Sequence, residues 1–503
     1  MSLQTMENKE QSLDTALASS VRSPRTISVV LDAIGYGRFQ VLLSFSSGLA
    51  FLADAMEMMI LSVLAPALHC STWEVTKSQL AFLTTMVFLA MTITSPLWGV
   101  ISDAYGRRRS LIISSVLLFL SGLVTAFSPT FMWLVALRFI CGCFISCMPQ
   151  CVTILLEYLP SGNRGTANIF MAMIWALGGT LTILLAWACI PTWEFGWRVL
   201  VALCTVPILL FLSLSFLIPE SLLFLEKNGR REEVSRILES IARTNNRIEV
   251  LDETEIVYDQ RHEENEDTPR TNTIIKKFKE ITQLLEYGRR RTTILIWFIG
   301  ILCGINYYGV VLFATELHMT MTNKGGNVTT TSSDCHILTS SDYLNLVWES
   351  LAEFPATLIS LYVMDIIGRK KMLAINSGIF TLSLILLAIG IETFDDTVIT
   401  ALLFLARGTG VSCGWIYFVF VPESYPTEIR SIAFGVGSTC IRIGGMITPH
   451  IAQVLMEKSK SLALGVYILT GMLGTIAPML LPVETKGIDL SSSESYSLLG
   501  GNK

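Results

Sequence analysis

The sequence predicts an all-α polytopic membrane protein whose twelve transmembrane helices form two six-helix bundles. Three observations carry this prediction. The 503-residue chain is 51% hydrophobic and only 15% charged, whereas soluble domains usually carry about a quarter charged residues. Its apolar residues cluster in runs of roughly 20, the length that crosses a bilayer as a helix. Short charged motifs also recur in the same order, 262 to 266 residues apart (103 to 365 and 157 to 423 set the extremes).

A hydropathy window of about 19 residues places the first six spans near 40–65, 79–101, 111–128, 131–155, 166–190 and 199–218. The second six fall near 292–317, 343–364, 372–391, 397–420, 432–452 and 462–482. The bundles therefore occupy 39–218 and 292–482, with tails at 1–38 and 483–503 and a connection at 219–291. Residues 1–38 are polar and lack the short apolar core of a signal peptide, so the first span is expected to direct insertion. In the connection, Val234, Ile237, Leu238 and Ile241 share one helical face. That segment reads as one surface helix followed by a flexible, solvated tether.

Basic residues orient the array. Connections after spans 2, 4, 8 and 10 carry Arg107-Arg108-Arg109, Arg164, Arg369-Lys370-Lys371 and Arg430. Those after spans 1, 3 and 9 carry only Lys77. The positive-inside rule puts the first group, and with it both termini, in the cytosol. Lys458 and Lys460 after span 11 fit that rule less well.

The repeat has three parts. Asp103-x-x-Gly106-Arg107-Arg108 matches Asp365-x-x-Gly368-Arg369-Lys370. Glu157-x-x-Pro160-x-x-x-Arg164 matches Glu423-x-x-Pro426-x-x-x-Arg430. Pro219-Glu220-Ser221 ends span 6 as Pro482-Val483-Glu484-Thr485 ends span 12. Three pairs in one order indicate an internal duplication.

This motif set resembles the major facilitator superfamily, in its sugar-porter-like branch, over about residues 30–488. The stretches "DAMEMMILSVLAP", "NYYGVVL", "LAEFP" and "GSTCIRIGGMITPHI" are most similar to the SVOP (synaptic vesicle 2-related) type, itself related to organic-ion transporters. The resemblance implies two bundles around a central cavity that rock to give alternating access. It departs from animal organic-ion transporters, which carry a large loop after span 1. Here residues 66–78 are short.

Within that picture the repeated loops form a cytosolic latch. Gly106 and Gly368 permit a tight turn, and Asp103 and Asp365 face the N-terminal end of a neighbouring helix. Arg107 and Arg369 pair with Glu157 and Glu423, with Arg164 and Arg430 in the same motifs.

Ionisable residues inside spans are functional candidates by default. Asp54 and Glu57 lie three apart on one face of span 1, which suits a proton or cation site, or else an inter-helix ion pair. Glu353 lies in span 8, one turn after Glu349, and Arg442 lies within span 11. Arg138 and Arg407 sit near the ends of spans 4 and 10 and could join the latch. By resemblance, Arg442 occupies a substrate-charge selector and favours an organic anion. Asn306, Tyr307 and Tyr308 in span 7 offer polar and stacking contacts, or ordinary packing.

The sequon at Asn327 falls in a non-cytosolic loop. Cys70 and Cys335 fall on that same side, where a disulfide can persist. In the tail, Glu494 with Leu498 and Leu499, and Tyr496 with Leu499, resemble sorting signals read by adaptors.

The net charge of −5 and the lack of a basic aromatic stripe argue against nucleic acid. No zinc spacing, P-loop or nucleophile–base set is present, so no metal, cofactor or enzyme activity is expected. Expected partners are a small-molecule substrate, a proton, membrane lipid and sorting adaptors, for a monomer in a vesicle or endosomal membrane, with the plasma membrane as alternative. Two functions fit. One is a secondary transporter of a small organic ion, leaning to anions and open to proton coupling. The other is a non-transporting vesicle protein or receptor on the same scaffold.

Overall fold

The structure, a computed structural model, describes residues 23–69, 73, 75–252, 254–257, 284–285, 289–325, 338–425 and 429–486. Asn327, Cys70, Cys335, Glu494, Tyr496, Leu498 and Leu499 lie outside these residues. Nine cysteines within the spans are unpaired, and all but Cys143 are buried, which suits small packing residues.

Among the described residues, eleven spans are long and apolar enough to cross a membrane. After a short helix α1 (Ile27–Ile34), span 1 is α2 (Arg38–His69), span 2 α3 (Lys77–Tyr105) and span 3 α4 (Arg107–Thr125). Span 4 comprises α5 (Phe131–Ile145) and α6 (Gln150–Tyr158), and span 5 is α7 (Arg164–Cys189). Span 6 comprises α8 (Gly196–Cys204) and α9 (Val206–Leu214). The connection supplies α10 (Leu222–Lys227), α11 (Arg231–Thr244) and α12 (Glu249–Asp252). The second bundle opens with α13 (Arg290–Gly325), then α14 (Ser340–Leu351) and α15 (Glu353–Ile367) as span 8. Spans 9 to 12 are α16 (Arg369–Gly390), α17 (Asp396–Glu423), α18 (Arg430–Pro449) and α19 (Lys460–Met479).

Prolines explain the broken spans. A proline cannot donate to the carbonyl four residues back. Pro149 leaves Ile145 without that bond, Pro207 leaves Leu203, and Pro355 leaves Leu351, and the helix is interrupted beside each. Helix α18 passes through Pro449 into a π-helical turn at His450–Leu455. It is the span missing from the eleven, because Arg430, Arg442 and four glycines dilute its apolar run.

The start of the connection is a helix, as expected, and it docks on the first bundle; most of the tether read after it lies outside the described residues. Val234, Leu238, Ile241 and Ala242 of α11 are buried and Ile237 is half-buried. They join the core that holds Ile27, Val30, Leu31 and Ile34 of α1. Asn245 anchors this cap to span 1: its Oδ1 accepts from Phe39 N (3.1 Å) and its Nδ2 donates to Gln40 Oε1 (2.8 Å). Two three-residue strands, β1 (Ser23–Arg25) and β2 (Thr254–Ile256), pair in parallel, joining the N-terminal tail to the connection. This small ladder is a departure from a purely helical fold. Hydropathy could not signal it, because tail and connection are both polar.

Candidate functional site

Both copies of the repeated loop build one network each. Gly106 and Gly368 have φ of 102° and 99° with extended ψ, a region close to glycine-only. The turn aims the first N–H groups of α4 and α16 at a carboxylate. Glu220 Oε1 accepts from Arg108 N (3.0 Å) and Ser221 N (3.0 Å). Glu484 accepts from Arg369 N (2.9 Å), Lys370 N (3.2 Å) and Thr485 N (3.1 Å). A Cβ on Gly106 would stand 2.4 Å from Glu220, and one on Gly368 2.8 Å from Glu484. Backbone conformation and carboxylate therefore both demand glycine.

The arginines pair as the motifs predict. Arg107 meets Glu157, which also accepts from Ser221 Oγ (2.5 Å). Arg369 grips Glu423 through Nε (3.0 Å) and Nη2 (3.1 Å), and Thr485 Oγ1 donates to the same carboxylate (2.6 Å). Each of these pairs lies within one bundle. Arg164 begins α7 exposed and Arg430 begins α18 half-buried.

The aspartates sit differently from expectation. The carboxylates on helix N-termini are Glu220 and Glu484. Asp365 pairs with Arg369 (3.1 Å) from an exposed position, and Asp103 lies exposed beside Arg107. Both aspartates occupy the last turn of their own helix on its solvent side. Glu220, Ser221, Glu484 and Thr485 are network residues that motif reading flagged as a repeat without assigning a role.

The middle of the membrane holds one buried arginine–glutamate pair in each bundle, with the arginines on matching spans 4 and 10 but the glutamates on spans 1 and 8. Arg138 of α5 binds Glu57 of α2 at 2.5 Å, and Arg407 of α17 binds Glu353 of α15 at 2.9 Å. All four are nearly sealed from solvent, at 1–5% side-chain exposure. Arg138 and Arg407 thus belong to the bundle interiors and not to the latch. Their helices start at the end opposite the repeated loops and carry them inward. Glu57 is an inter-helix ion pair, leaving Asp54 as the buried carboxylate of span 1 with an oxygen, Oδ1, that lacks a hydrogen-bond partner.

Between the bundles lies Arg442. Close contact of α13 and α18 positions it, since a Cβ at Gly304 would fall 2.1 Å from Ile441 O, and one at Gly444 2.2 Å from Ile301 O. Arg442 Nη1 donates to Ser438 Oγ of its own helix (2.9 Å) and to Ser95 Oγ of span 2 (2.9 Å). Asp54 lies within its electrostatic reach. Tyr308 meets Phe88 edge-on (4.8 Å). Tyr307 accepts from Trp175 Nε1 (2.8 Å) and donates to Glu353 Oε1 (3.4 Å). Asn306 accepts from Thr470 Oγ1 (2.7 Å) and so braces span 7 against span 12.

Further contacts between the bundles lie toward the end away from the repeated loops. Lys77 binds Glu316, Thr85 Oγ1 donates to Met446 O (3.2 Å), and Thr180 Oγ meets Ser350 Oγ (3.0 Å). Met58, Met59, Phe88, Tyr308 and Val311 enclose a void of about 10 Å³ there, a water's worth of space. That end is closed. Among the described residues no His/Cys/Asp/Glu group could hold a metal ion.

Residues 39–495 match the family model described as sugar (and other) transporter. The chain is 38% identical over 478 residues to the synaptic vesicle 2-related protein of Xenopus laevis, covering 92% of this chain and 82% of that one. It is 33% identical over 494 residues to organic cation/carnitine transporter 7 of Arabidopsis thaliana, covering 94% and 97%. The xylose transporter of E. coli, in a partially occluded inward-open conformation, superposes with a TM-score of 0.68 at 19% identity, covering 90% of this chain and all of that one; that likeness speaks to the fold. The duplicated loops, the twelve helices and these relatives agree that the chain is a multi-pass membrane protein of the sugar (and other) transporter family in the major facilitator superfamily, of the synaptic vesicle 2-related type.

Proposed function

We propose that the chain is a secondary transporter that moves a small organic anion by alternating access, coupled to protons. The observation that carries this reading is Arg442. It is buried between the bundles, its hydrogen bonds go to two neutral hydroxyls, and an arginine's five donors suit a planar carboxylate. Tyr308, which acts electrostatically on Arg442, and its span 7 neighbours Asn306 and Tyr307 supply polar and aromatic surface for the rest of a substrate. A similar protein named for organic cations and carnitine supports a charged organic cargo. Asp54, with its unpartnered oxygen, is the proton acceptor at this centre, because binding of a substrate anion at Arg442 changes the field that Asp54 feels.

The repeated networks keep each bundle's loops rigid while the bundles rock. With the basic loops in the cytosol, the exposed Asp103 and Asp365 meet the opposite bundle when that side closes, and that contact favours the outward-facing state. Asp103→Asn is then expected to raise the inward-facing population, read as greater accessibility of cytosol-side cysteines. The membrane is that of an intracellular vesicle, which the similarity to synaptic vesicle 2-related proteins supports.

The test is uptake by purified protein in proteoliposomes across organic anions, organic cations and sugars, with and without a pH gradient. Uptake of an anion accelerated by the gradient, and lost in Asp54→Asn, supports the proposal. Folded protein that moves nothing would turn the scaffold into a vesicle component or receptor.

A further inference from the structure

A string of ionisable groups runs through the second bundle, from the closed end toward the centre. Asp396 starts α17 in an exposed position, and Asp342 lies in the first turn of α14, hydrogen-bonded to Thr339 N (2.8 Å). Both act electrostatically on His318 of α13. Nε2 of His318 lies 2.7 Å from Glu349 Oε1, with the two side chains 4% and 0% exposed. One turn further in, past the helix break at Ala352, stands Glu353 with its partner Arg407, and Glu349 also acts on Arg407. Tyr307 and then Trp175 of the first bundle complete the line.

Two features set His318 and Glu349 apart from a structural ion pair. Glu349 Oε2 and Glu353 Oε2 are both buried without a hydrogen-bond partner, although buried carboxylates normally have every oxygen satisfied. The span that carries them is also broken between them, and discontinuous helices at mid-membrane are where transporters place ion sites.

We infer that His318 and Glu349 form a proton-binding site, loaded from the face opposite the repeated loops, whose charge state is read by Glu353 and Arg407. One proton is bound or released. With imidazole neutral and Glu349 ionised, the pair carries one negative charge, and after binding it carries none. The pull of Glu349 on Arg407 then weakens, and Arg407 commits to Glu353. The groups facing the site are Asp342 from α14, and Asp396 and Arg407 from α17. From α13 itself Tyr307 reaches Glu353, whereas Glu316 turns to Lys77 of span 2. Helix α7 brings Trp175 to Tyr307 and Thr180 to Ser350.

This inference rests on the proton-coupled reading for its purpose, but its test does not. The full chain in micelles is titrated with pH alone, following the fluorescence of Trp175 as the difference between wild type and Trp175→Phe, since the chain has ten tryptophans. A transition between about pH 5 and 8, the range of histidine, is expected in the wild type. His318→Gln and Glu349→Gln should abolish it, and Glu349→Asp, which keeps the charge, should move its midpoint by about one unit or less. Thermal melting of each variant separates a lost proton site from a lost fold. A flat wild-type titration, or a transition unchanged in folded Glu349→Gln, overturns the site. Uptake indifferent to a pH gradient, with the titration intact, upholds the site and overturns the coupling.

Discussion

The loops and the membrane centre show opposite degrees of symmetry. At the loops the two bundles agree nearly atom for atom. Glycine turns at 106 and 368 deliver backbone N–H groups to Glu220 and Glu484, while Arg107 and Arg369 reach Glu157 and Glu423. At the centre only the Glu57–Arg138 and Glu353–Arg407 pairs are shared in kind. Among the described residues, Arg442, Asp54 and the His318–Glu349 pair have no counterpart in the other bundle at the matching place. The difference teaches a division of labour. A rocking machine needs two equivalent levers, whereas a cargo site on the axis between them is free to be asymmetric.

The comparison breaks first at the central ion pairs. Glu353→Ala strands the buried Arg407, which costs about 3–5 kcal/mol, and Glu57→Ala should cost about as much by stranding Arg138. Thermal melting of the purified variants checks this, and a large effect in one bundle with none in the other would deny that the pairs are equivalent. Next come the turns. Gly106→Ala and Gly368→Ala each force a side chain into a glycine-only conformation against a carboxylate, an expected loss of about 1–3 kcal/mol. Similar losses in both bundles sharpen the symmetry. The smallest effect separates the two networks. Arg369 holds Glu423 with two nitrogens, so Arg369→Lys loses one bond of a bidentate pair, about 1 kcal/mol at this partly exposed position. Combining Arg369→Lys with Glu423→Gln in a double variant tests whether that loss belongs to the pair.

Most of the fold was legible in the sequence because bilayer length, charge-free runs and repeated motifs are all one-dimensional signals. Gly106, Arg107 and Glu157 were marked by recurrence and given a pairing role by the family resemblance, whereas Asp103 was assigned the helix N-terminus that Glu220 holds. Glu220 and Glu484 were visible as a repeat, but their seat on the helix N-termini depends on φ values that a sequence does not display. Arg138 and Arg407 were misplaced because distance along a helix does not say which partner waits across the bundle. Glu57 stayed between a carboxylate site and an inter-helix ion pair for the same reason, and Arg138 at 2.5 Å makes it the ion pair. His318 went unnoticed because one histidine near a span end carries no pattern. The apolar face of the connection's helix was visible at Val234, Ile237, Leu238 and Ile241, but a face four residues long does not say what it docks on.

Arg442 decides the central claim, that an asymmetric charge between two matching bundles selects an organic anion. The direct measurement is the initial rate of uptake into proteoliposomes against substrate concentration, for wild type and Arg442→Gln, with an organic anion and an organic cation in parallel. Losing a charge-assisted contact of about 1.5–3 kcal/mol should raise KM for the anion by roughly 10- to 100-fold while melting behaviour stays near that of the wild type. Anion uptake by folded Arg442→Gln that matches the wild type would contradict the account.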